Sequence, residues 1–140
     1  MNSSQKKNNR IIFCLPGNNF SNHFLLAWSD LILWCQRNNI DFIVSNQYSS
    51  VVHFARSLCL GGDNTRGEKQ LPFNGKEEYD YIMWIDSDIV FKVEDFKKLL
   101  EAELDIVSGI YKMEDTIHYP IIEKYDIDYF KQNGKLNFLN

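Results

Sequence analysis

Two aspartates separated by one residue, Asp86 and Asp88, are the strongest chemical signal in this chain. They follow an unbroken apolar and aromatic run at 81–85, which predicts a central strand covered on both faces. Alternate side chains of an extended segment point to the same side, so both carboxylates are expected to project together from the carboxyl end of that strand. Open α/β sheets bind their ligands at that edge.

A carboxylate pair in this place suits a divalent cation that also holds a diphosphate. Mg²⁺ and Mn²⁺ prefer oxygen ligands and commonly take one or two carboxylates together with substrate phosphates and water. The alternative is that Asp86 and Asp88 merely begin a turn or cap the next helix, as so short a motif often does. The apolar strand before the pair and the helix predicted after it favour the metal and diphosphate site.

Composition indicates a soluble globular protein. The chain has 140 residues, of which 44% are hydrophobic and 24% charged, and this predicts one domain over 10–140 after a loose polar terminus at 1–9. The net charge of -4 argues against a nucleic-acid-binding surface. No run is long enough to cross a membrane, and the polar first ten residues do not suit a signal peptide. A cytoplasmic location is therefore expected.

Three cysteines, Cys14, Cys35 and Cys59, lie in apolar segments that are far apart in the sequence. Their positions do not form a paired Cys and His spacing of the kind that binds zinc. They are expected to be small buried side chains with free thiols, as in a reducing compartment.

Hydrophobic periodicity predicts alternating strands and helices, and hence an α/β fold with a mostly parallel central sheet in a three-layer α/β/α arrangement. Strands are predicted at 10–15, 40–45, 81–85 and 104–110. One helix begins at Ser21 or Asn22 and ends at Asn38-Asn39, and a second begins at Ser49-Ser50. A third follows the aspartate pair, and its first turn contains Glu94.

Two further segments have distinct predictions. The stretch 61–78 lacks periodicity and is predicted to be a long loop, which in a compact domain is usually functional or disordered. The tail from 119 onward is predicted to form a strand and a late hairpin-like element that turns at Asn133-Gly134.

Arg56 lies in the middle of the second predicted helix among mostly apolar neighbours. A guanidinium there must find an anionic partner or reach water. Two interpretations stay open: a structural pair with the sheet, or a contact with a bound nucleotide or with Asp86 or Asp88.

The order of elements resembles the nucleotide-diphospho-sugar transferase fold, the GT-A class of glycosyltransferases. The likeness spans roughly 10 to 125 and is closest over 73–112, where Asp86-Ser87-Asp88 looks like the Asp-x-Asp strand of that family. The segment 52–56, which ends in Arg56, looks like the second helix of the family, whose arginine often lies near the nucleotide.

The resemblance implies that Asp88 binds Mn²⁺ or Mg²⁺ directly and that Asp86 contacts the ribose, or the metal through water. Pro16-Gly17 and Ser45-Asn46 match the places where such enzymes hold the base and ribose. From the residues themselves, Ser108-Gly109 is expected to let the backbone closely approach a ligand at the same edge of the sheet.

The sequence departs from the family after the metal strand, where members usually continue with an acceptor-binding half that supplies a carboxylate base in inverting enzymes. Glu114 and Asp115 are the local candidates for the catalytic carboxylate, and His118 is a candidate metal ligand. The alternative for the two acids is a solvated acidic turn, and for His118 a surface-loop histidine.

Three functions remain in competition at this point. The first is a metal-dependent glycosyltransferase that moves a sugar from a nucleotide diphosphate to an unknown acceptor. The second is a non-catalytic or partner-dependent nucleotide-sugar-binding module that lacks the acceptor half, with a partner chain supplying the acceptor site. A homo-oligomer is the other assembly that stays open. The third is a nucleotidyltransferase, which ranks last because Pro16-Gly17-Asn18-Asn19 has no nearby Lys or Arg to hold phosphates.

Overall fold

A computed structural model of the chain describes residues 9–113, 117–122, 124–136 and 138–139. They form two compact units, the first ending at Phe96 and the second beginning at Lys97. The strands are β1 (Arg10–Pro16), β2 (Asp41–Gln47) and β3 (Tyr81–Trp84). The helices are α1 (Asn22–Arg37), α2 (Val52–Cys59), α3 (Val93–Glu101) and α4 (Ile127–Asn133). A single domain over 10–140 stays a prediction.

The three strands form one parallel sheet in the order β2-β1-β3. The pairing of β1 with β2 runs from Arg10 opposite Asp41 to Pro16 opposite Gln47. The pairing with β3 is shorter and ends at Cys14. The predicted α/β class and parallel pairing are therefore confirmed for the described residues.

The central strand is β1, so the prediction that 81–85 forms the centre of the sheet is wrong. Within the described residues β3 is an edge strand, and Tyr81 at its start is exposed, whereas Ile11 to Leu15 are all buried. Both strands carry continuous apolar runs because packing on their faces, rather than position in the strand order, determines that pattern. The run alone could not distinguish a centre from an edge.

Both faces of β1 are covered. On one face the ring of Phe13 packs 5.3 Å from Trp28 of α1 and 5.7 Å from Phe96 of α3, as measured between ring centroids. On the other face Cys14 packs with Cys59 of α2 in a fully buried cluster. Burial of apolar area on both faces is the main term that stabilises this unit.

The three cysteines are buried and free, as predicted. Burial, with a smaller effect from the neighbouring Cys59, raises the pKa of Cys14 to about 12. Burial also raises the pKa of Cys35 to about 11. Because only the thiolate reacts readily, these thiols are packing groups rather than nucleophiles.

The ends of α1 follow the sequence signals. The Ser21 hydroxyl accepts a hydrogen bond from the Phe24 N–H at 3.1 Å, and Asn39 adopts a left-handed φ of 54° just beyond the helix. Helix α2 begins later than predicted, because Ser49 instead accepts from the Val51 N–H at 3.3 Å and shapes the turn before the helix.

The second unit differs from its prediction at 104–110, where the structure has no strand. Ile106 is 91% exposed and Ile110 is 70% exposed, so the apolar run is not buried. A β-strand is stabilised by pairing and by packing on its faces, which the residue types of this segment do not supply by themselves.

The predicted hairpin at Asn133-Gly134 is also wrong, because these residues end helix α4. Asp126 caps its start by accepting from the Tyr129 N–H at 2.8 Å, and Gly134 adopts a φ of 64° at its end. A left-handed glycine suits a hairpin turn and a helix end equally, so the dipeptide did not decide between them. No strand is assigned among the described residues of 119–125, although backbone hydrogen bonds join Leu139 to Tyr119 and Ile121.

Helices long and apolar enough to cross a membrane are absent from the described residues.

Candidate functional site

The strand order places a topological switch point between β1 and β3. The chain runs from β1 to β2 on one side and then crosses to β3 on the other side of β1. In open parallel sheets such a reversal leaves a crevice outside the carboxyl ends of the two strands. The segments that follow these ends are Pro16-Gly17 after β1 and Ile85 to Asp88 after β3, which is the predicted location of the site.

The segment after β3 is a turn rather than an extension of the strand. The Ile89 N–H donates to the Asp86 carbonyl at 3.1 Å, which closes a four-residue turn with Ser87 and Asp88 inside it. The predicted extended spacing of the two carboxylates is therefore wrong. The pairing of β3 with β1 ends at Trp84, and Asp and Ser favour turns once a strand has ended.

Arg56 forms an ion pair with Asp86. Its Nη2 atom lies 3.2 Å from Oδ2 and 3.4 Å from Oδ1 of the carboxylate, and its guanidinium lies 5.9 Å from the ring centroid of Trp84. Of the two interpretations of Arg56, contact with Asp86 is the one observed. The side chains are 47% and 44% exposed, so the pair contributes only about 0–1 kcal/mol to stability.

Asp88 has a different environment from Asp86. It is exposed, and its carboxylate has no hydrogen-bond or ion-pair partner among the described residues. The turn therefore presents one carboxylate neutralised by a guanidinium and one that is available to a ligand.

Gly17 allows the end of β1 to approach this turn closely. Its N–H donates to the Gln47 carbonyl at 2.9 Å, and a Cβ added to it would lie 2.7 Å from the Cβ of Ser87. Real Cβ atoms do not approach so closely. The absence of a side chain at Gly17 thus fixes the distance between the two segments that border the crevice.

Substituting Gly17 with alanine is expected to lower the free energy of unfolding by about 1–3 kcal/mol, because the new methyl group collides with Ser87. Adding Ser87→Gly should recover part of this loss, which urea unfolding of both single variants and the double variant would measure as a coupling energy. The recovery of stability in the double variant should be only partial, because alanine rarely adopts the φ of 154° found at Gly17. Strict additivity of the two substitutions would contradict the close approach.

Ser45 and Asn46, predicted from the resemblance to hold base and ribose, make structural hydrogen bonds. The Ser45 hydroxyl donates to the Cys59 carbonyl at 2.7 Å. The Asn46 amide donates to the carbonyls of Leu15 and Gly17 at 2.7 and 2.8 Å, which uses both of its N–H groups. These bonds tie the carboxyl end of β2 to its neighbours, and the binding role of Pro16, Ser45 and Asn46 stays a prediction.

The other predicted residues lie in the second unit or outside the described residues. Ser108 donates to the carbonyl of Gly109 at 3.1 Å, and the space within 4 Å of a Cβ built at Gly109 is open, so the approach of a ligand to this segment stays a prediction. The His118 carbonyl accepts from the Met113 N–H at 2.8 Å. Glu114 and Asp115 lie outside the described residues.

The described residues contain no group of three His, Cys, Asp or Glu side chains that could hold a metal ion by themselves. The turn after β3 offers two carboxylates, one of them already paired with Arg56. Mg²⁺ and Mn²⁺ often take only one or two carboxylates and receive their other ligands from substrate phosphates and water. The donor set therefore fits a cation that arrives with a diphosphate, and does not fit a site made of protein ligands alone.

Sequence reasoning missed a cavity of about 670 Å³ beside α2. It is lined by residues from the end of β2, from α2 and from the following loop, namely Gln47, Ser49, Phe54, Ser57, Leu58, Gly61, Gly62, Asp63, Asn64 and Arg66. Asp86 and Asp88 are not among them. The only sequence signal for it was the glycine-rich start of the long loop at 61–78.

That loop is ordered by its own hydrogen bonds. The Gln70 amide donates to the carbonyls of Asp63 and Gly67 at 2.8 and 2.6 Å and accepts from the Asp63 N–H at 2.9 Å. Hydrogen bonds from the Thr65 hydroxyl and N–H hold the pKa of Asp63 below its usual value. Arg66 pairs with Asp63 at 3.3 Å and donates to the Gly61 carbonyl. These bonds join the residues of the first part of the loop, from Gly61 to Gln70, to one another.

No protein-family model matches this chain, and no match was found among curated proteins or solved structures.

Proposed function

We propose that this chain binds a nucleotide-diphosphate sugar together with Mn²⁺ or Mg²⁺ at the carboxyl ends of β1 and β3, and that it transfers the sugar to an acceptor as a GT-A-type glycosyltransferase. The observation that carries the proposal is the turn after β3, where the exposed carboxylate of Asp88 lies two residues from the Arg56–Asp86 pair. This turn borders the crevice at the switch point of the sheet.

The charges of the site suit a diphosphate. Asp88 offers an uncommitted carboxylate to a cation, and Arg56 offers guanidinium donors to phosphate oxygens, for which arginine is well shaped. A divalent cation, when bound, would stabilise the negative charge that develops on the departing diphosphate, typically by several kcal/mol.

The remaining residues position these groups. Trp84 lies beneath the guanidinium and packs against the buried cluster around Cys14 and Cys59, so it gives Arg56 a fixed platform. Gly17 permits the end of β1 to lie against Ser87. Both contacts would bring the groups that bind the ligand to one edge of the sheet before the ligand arrives.

A second candidate is a nucleotide-sugar-binding module that transfers nothing by itself. It is compatible with the same observations, because binding of the donor needs only Asp88 and the Arg56–Asp86 pair and no further acidic group. Such a module would depend on a partner chain or a second copy for its acceptor side and its base.

Thermal unfolding with UDP, GDP and their sugar conjugates, each with Mn²⁺ or with EDTA, tests the binding step. A ligand that binds only the folded state at 100 times its dissociation constant stabilises it by about 2.7 kcal/mol. We expect one nucleotide to raise the unfolding midpoint with Mn²⁺ but not with EDTA. No shift with any nucleotide and metal would contradict the proposed donor site.

Release of nucleoside diphosphate from the sugar conjugate that gives this shift separates the two candidates. Slow metal-dependent hydrolysis, in which water replaces the acceptor, would identify a transferase. Binding without any release over many hours would favour the module.

A further inference from the structure

The Arg56–Asp86 ion pair places a cation where the proposed function requires one. We infer that Arg56 is the counter-ion of Asp86 in the ligand-free protein. A divalent cation binds the Asp86 carboxylate only when a diphosphate attracts the guanidinium of Arg56 away from it. The inference rests on the proposed function, because it describes how the same site regulates metal binding. It assigns Arg56 a role before any chemistry, which is to occupy Asp86 until a diphosphate binds.

The geometry of the pair makes it a competitor of a metal. The Nη2 atom of Arg56 lies within hydrogen-bonding distance of both carboxylate oxygens of Asp86, at 3.2 and 3.4 Å. A metal bound to either oxygen would therefore lie next to a positive guanidinium. Two cations at such a separation repel each other, so an anion between the metal and the guanidinium favours their joint presence.

The pair is also one that can be exchanged. Both side chains are about half exposed, so water can replace either partner and the ion pair adds little stability. The guanidinium lies near the Trp84 ring, which would keep it beside the site after it leaves Asp86. Arg56 thus needs only a side-chain rotation on α2 to move from the carboxylate to a phosphate.

The environment of Asp88 explains why replacement of Arg56 by a metal at Asp86 would require a diphosphate ligand. While Arg56 holds Asp86, Asp88 is the only carboxylate of the turn without a partner among the described residues. One exposed carboxylate binds a divalent cation weakly. A diphosphate would add its own oxygens to the metal and would also attract Arg56, which frees Asp86 as a further ligand or as a partner of metal-bound water.

Metal and nucleotide would therefore bind cooperatively. By thermodynamic linkage, the factor by which the nucleotide tightens metal binding equals the factor by which the metal tightens nucleotide binding. Removal of the guanidinium should abolish part of this coupling, because Asp86 would then be available to the metal from the start.

Calorimetric titration with Mn²⁺, alone and at saturating UDP or GDP, tests this inference on the whole chain. The variants are Arg56→Met and Arg56→Gln, which keep a side chain beside Trp84, and the control is Arg37→Met at the exposed end of α1. We expect Mn²⁺ alone to bind the Arg56 variants roughly two- to sixfold more tightly than the wild type, which is the gain that removing a weak, half-exposed competitor for Asp86 allows. We expect the nucleotide to tighten Mn²⁺ binding by a smaller factor in these variants than in the wild type.

Unchanged Mn²⁺ affinity in both Arg56 variants, with circular dichroism showing that they are folded, would overturn the inference. An equal gain in the Arg37 variant would also overturn it, since net charge would then be the cause. Failure of the proposed function has a different signature: neither UDP nor GDP would bind the wild type at any Mn²⁺ concentration. The nucleotide-free comparison would still report whether Arg56 and Mn²⁺ compete for Asp86.

Discussion

Replacing Asp88 with asparagine should weaken Mn²⁺-dependent binding of the nucleotide diphosphate by at least about 100-fold, or roughly 2.8 kcal/mol. The substitution removes the carboxylate that is free to bind a cation and keeps the size of the side chain. Because Asp88 is exposed and has no partner among the described residues, the free energy of unfolding should change by less than about 0.5 kcal/mol. Calorimetric titration and urea unfolding of the same preparation measure the two quantities.

Asp30→Asn is a matched control for Asp88→Asn, since Asp30 is also an exposed aspartate of the first unit but lies on α1. It should alter neither binding nor stability. If Asp88→Asn bound the nucleotide and metal as tightly as the wild type, Asp88 would be a turn residue only. A loss of stability that matched the loss of binding would lead to the same conclusion.

Replacing Leu31 with alanine should lower the free energy of unfolding by about 2–5 kcal/mol. Leu31 is fully buried on the face of α1 that packs against the sheet, so its removal leaves a cavity in the core of the first unit. Small domains are commonly stable by only about 5–15 kcal/mol, so this single change would remove a large part of the total.

Leu26→Ala is the matched control for Leu31→Ala, because both leucines lie inside α1 and lose the same atoms. Leu26 is 65% exposed, and its replacement should change stability by less than about 0.5 kcal/mol. Since helix propensity changes equally in the two variants, the difference between them isolates burial. Similar losses at both positions would mean that α1 packs through another face.

The elements of the first unit were predictable because local and tertiary signals agree there. The five apolar residues at 11–15 needed burial on both faces, and the spacing of Phe24, Leu31 and Cys35 placed one face of α1 in the core. Ser21 and Asn39 marked its ends through backbone preferences that depend on a few neighbouring residues only.

The incorrect predictions of secondary structure concern segments whose local sequence is compatible with two structures. An apolar run does not show how many neighbouring strands it pairs with. The run of β3 forms an edge strand among the described residues, and the run at 104–110 does not form a strand. Asn133-Gly134 fits a hairpin and a helix end alike. The structure that each of these segments adopts depends on residues that are near in space but distant in sequence, so a short window of sequence does not predict it.

The candidate site was predictable in its location but not in its details. Strand ends of a parallel sheet must share an edge, and Gly17 after β1 accordingly lies against Ser87 of the turn after β3. The Arg56–Asp86 pair was one of two open interpretations, because a helix position predicts which face a side chain occupies but not its partner. The cavity beside α2 escaped prediction because an irregular loop forms part of its lining.

The pairing of β1 with β3 has a consequence for how the chain is made. Ile11 lies opposite Tyr81, so the central strand leaves the ribosome long before one of its two neighbours. At about 5–20 residues per second, the 70 residues between such partners take roughly 4 to 14 s to synthesise. During that interval one edge of the most buried strand is unpaired, so the apolar residues at 11–15 are open to pairing with other chains until β3 is made.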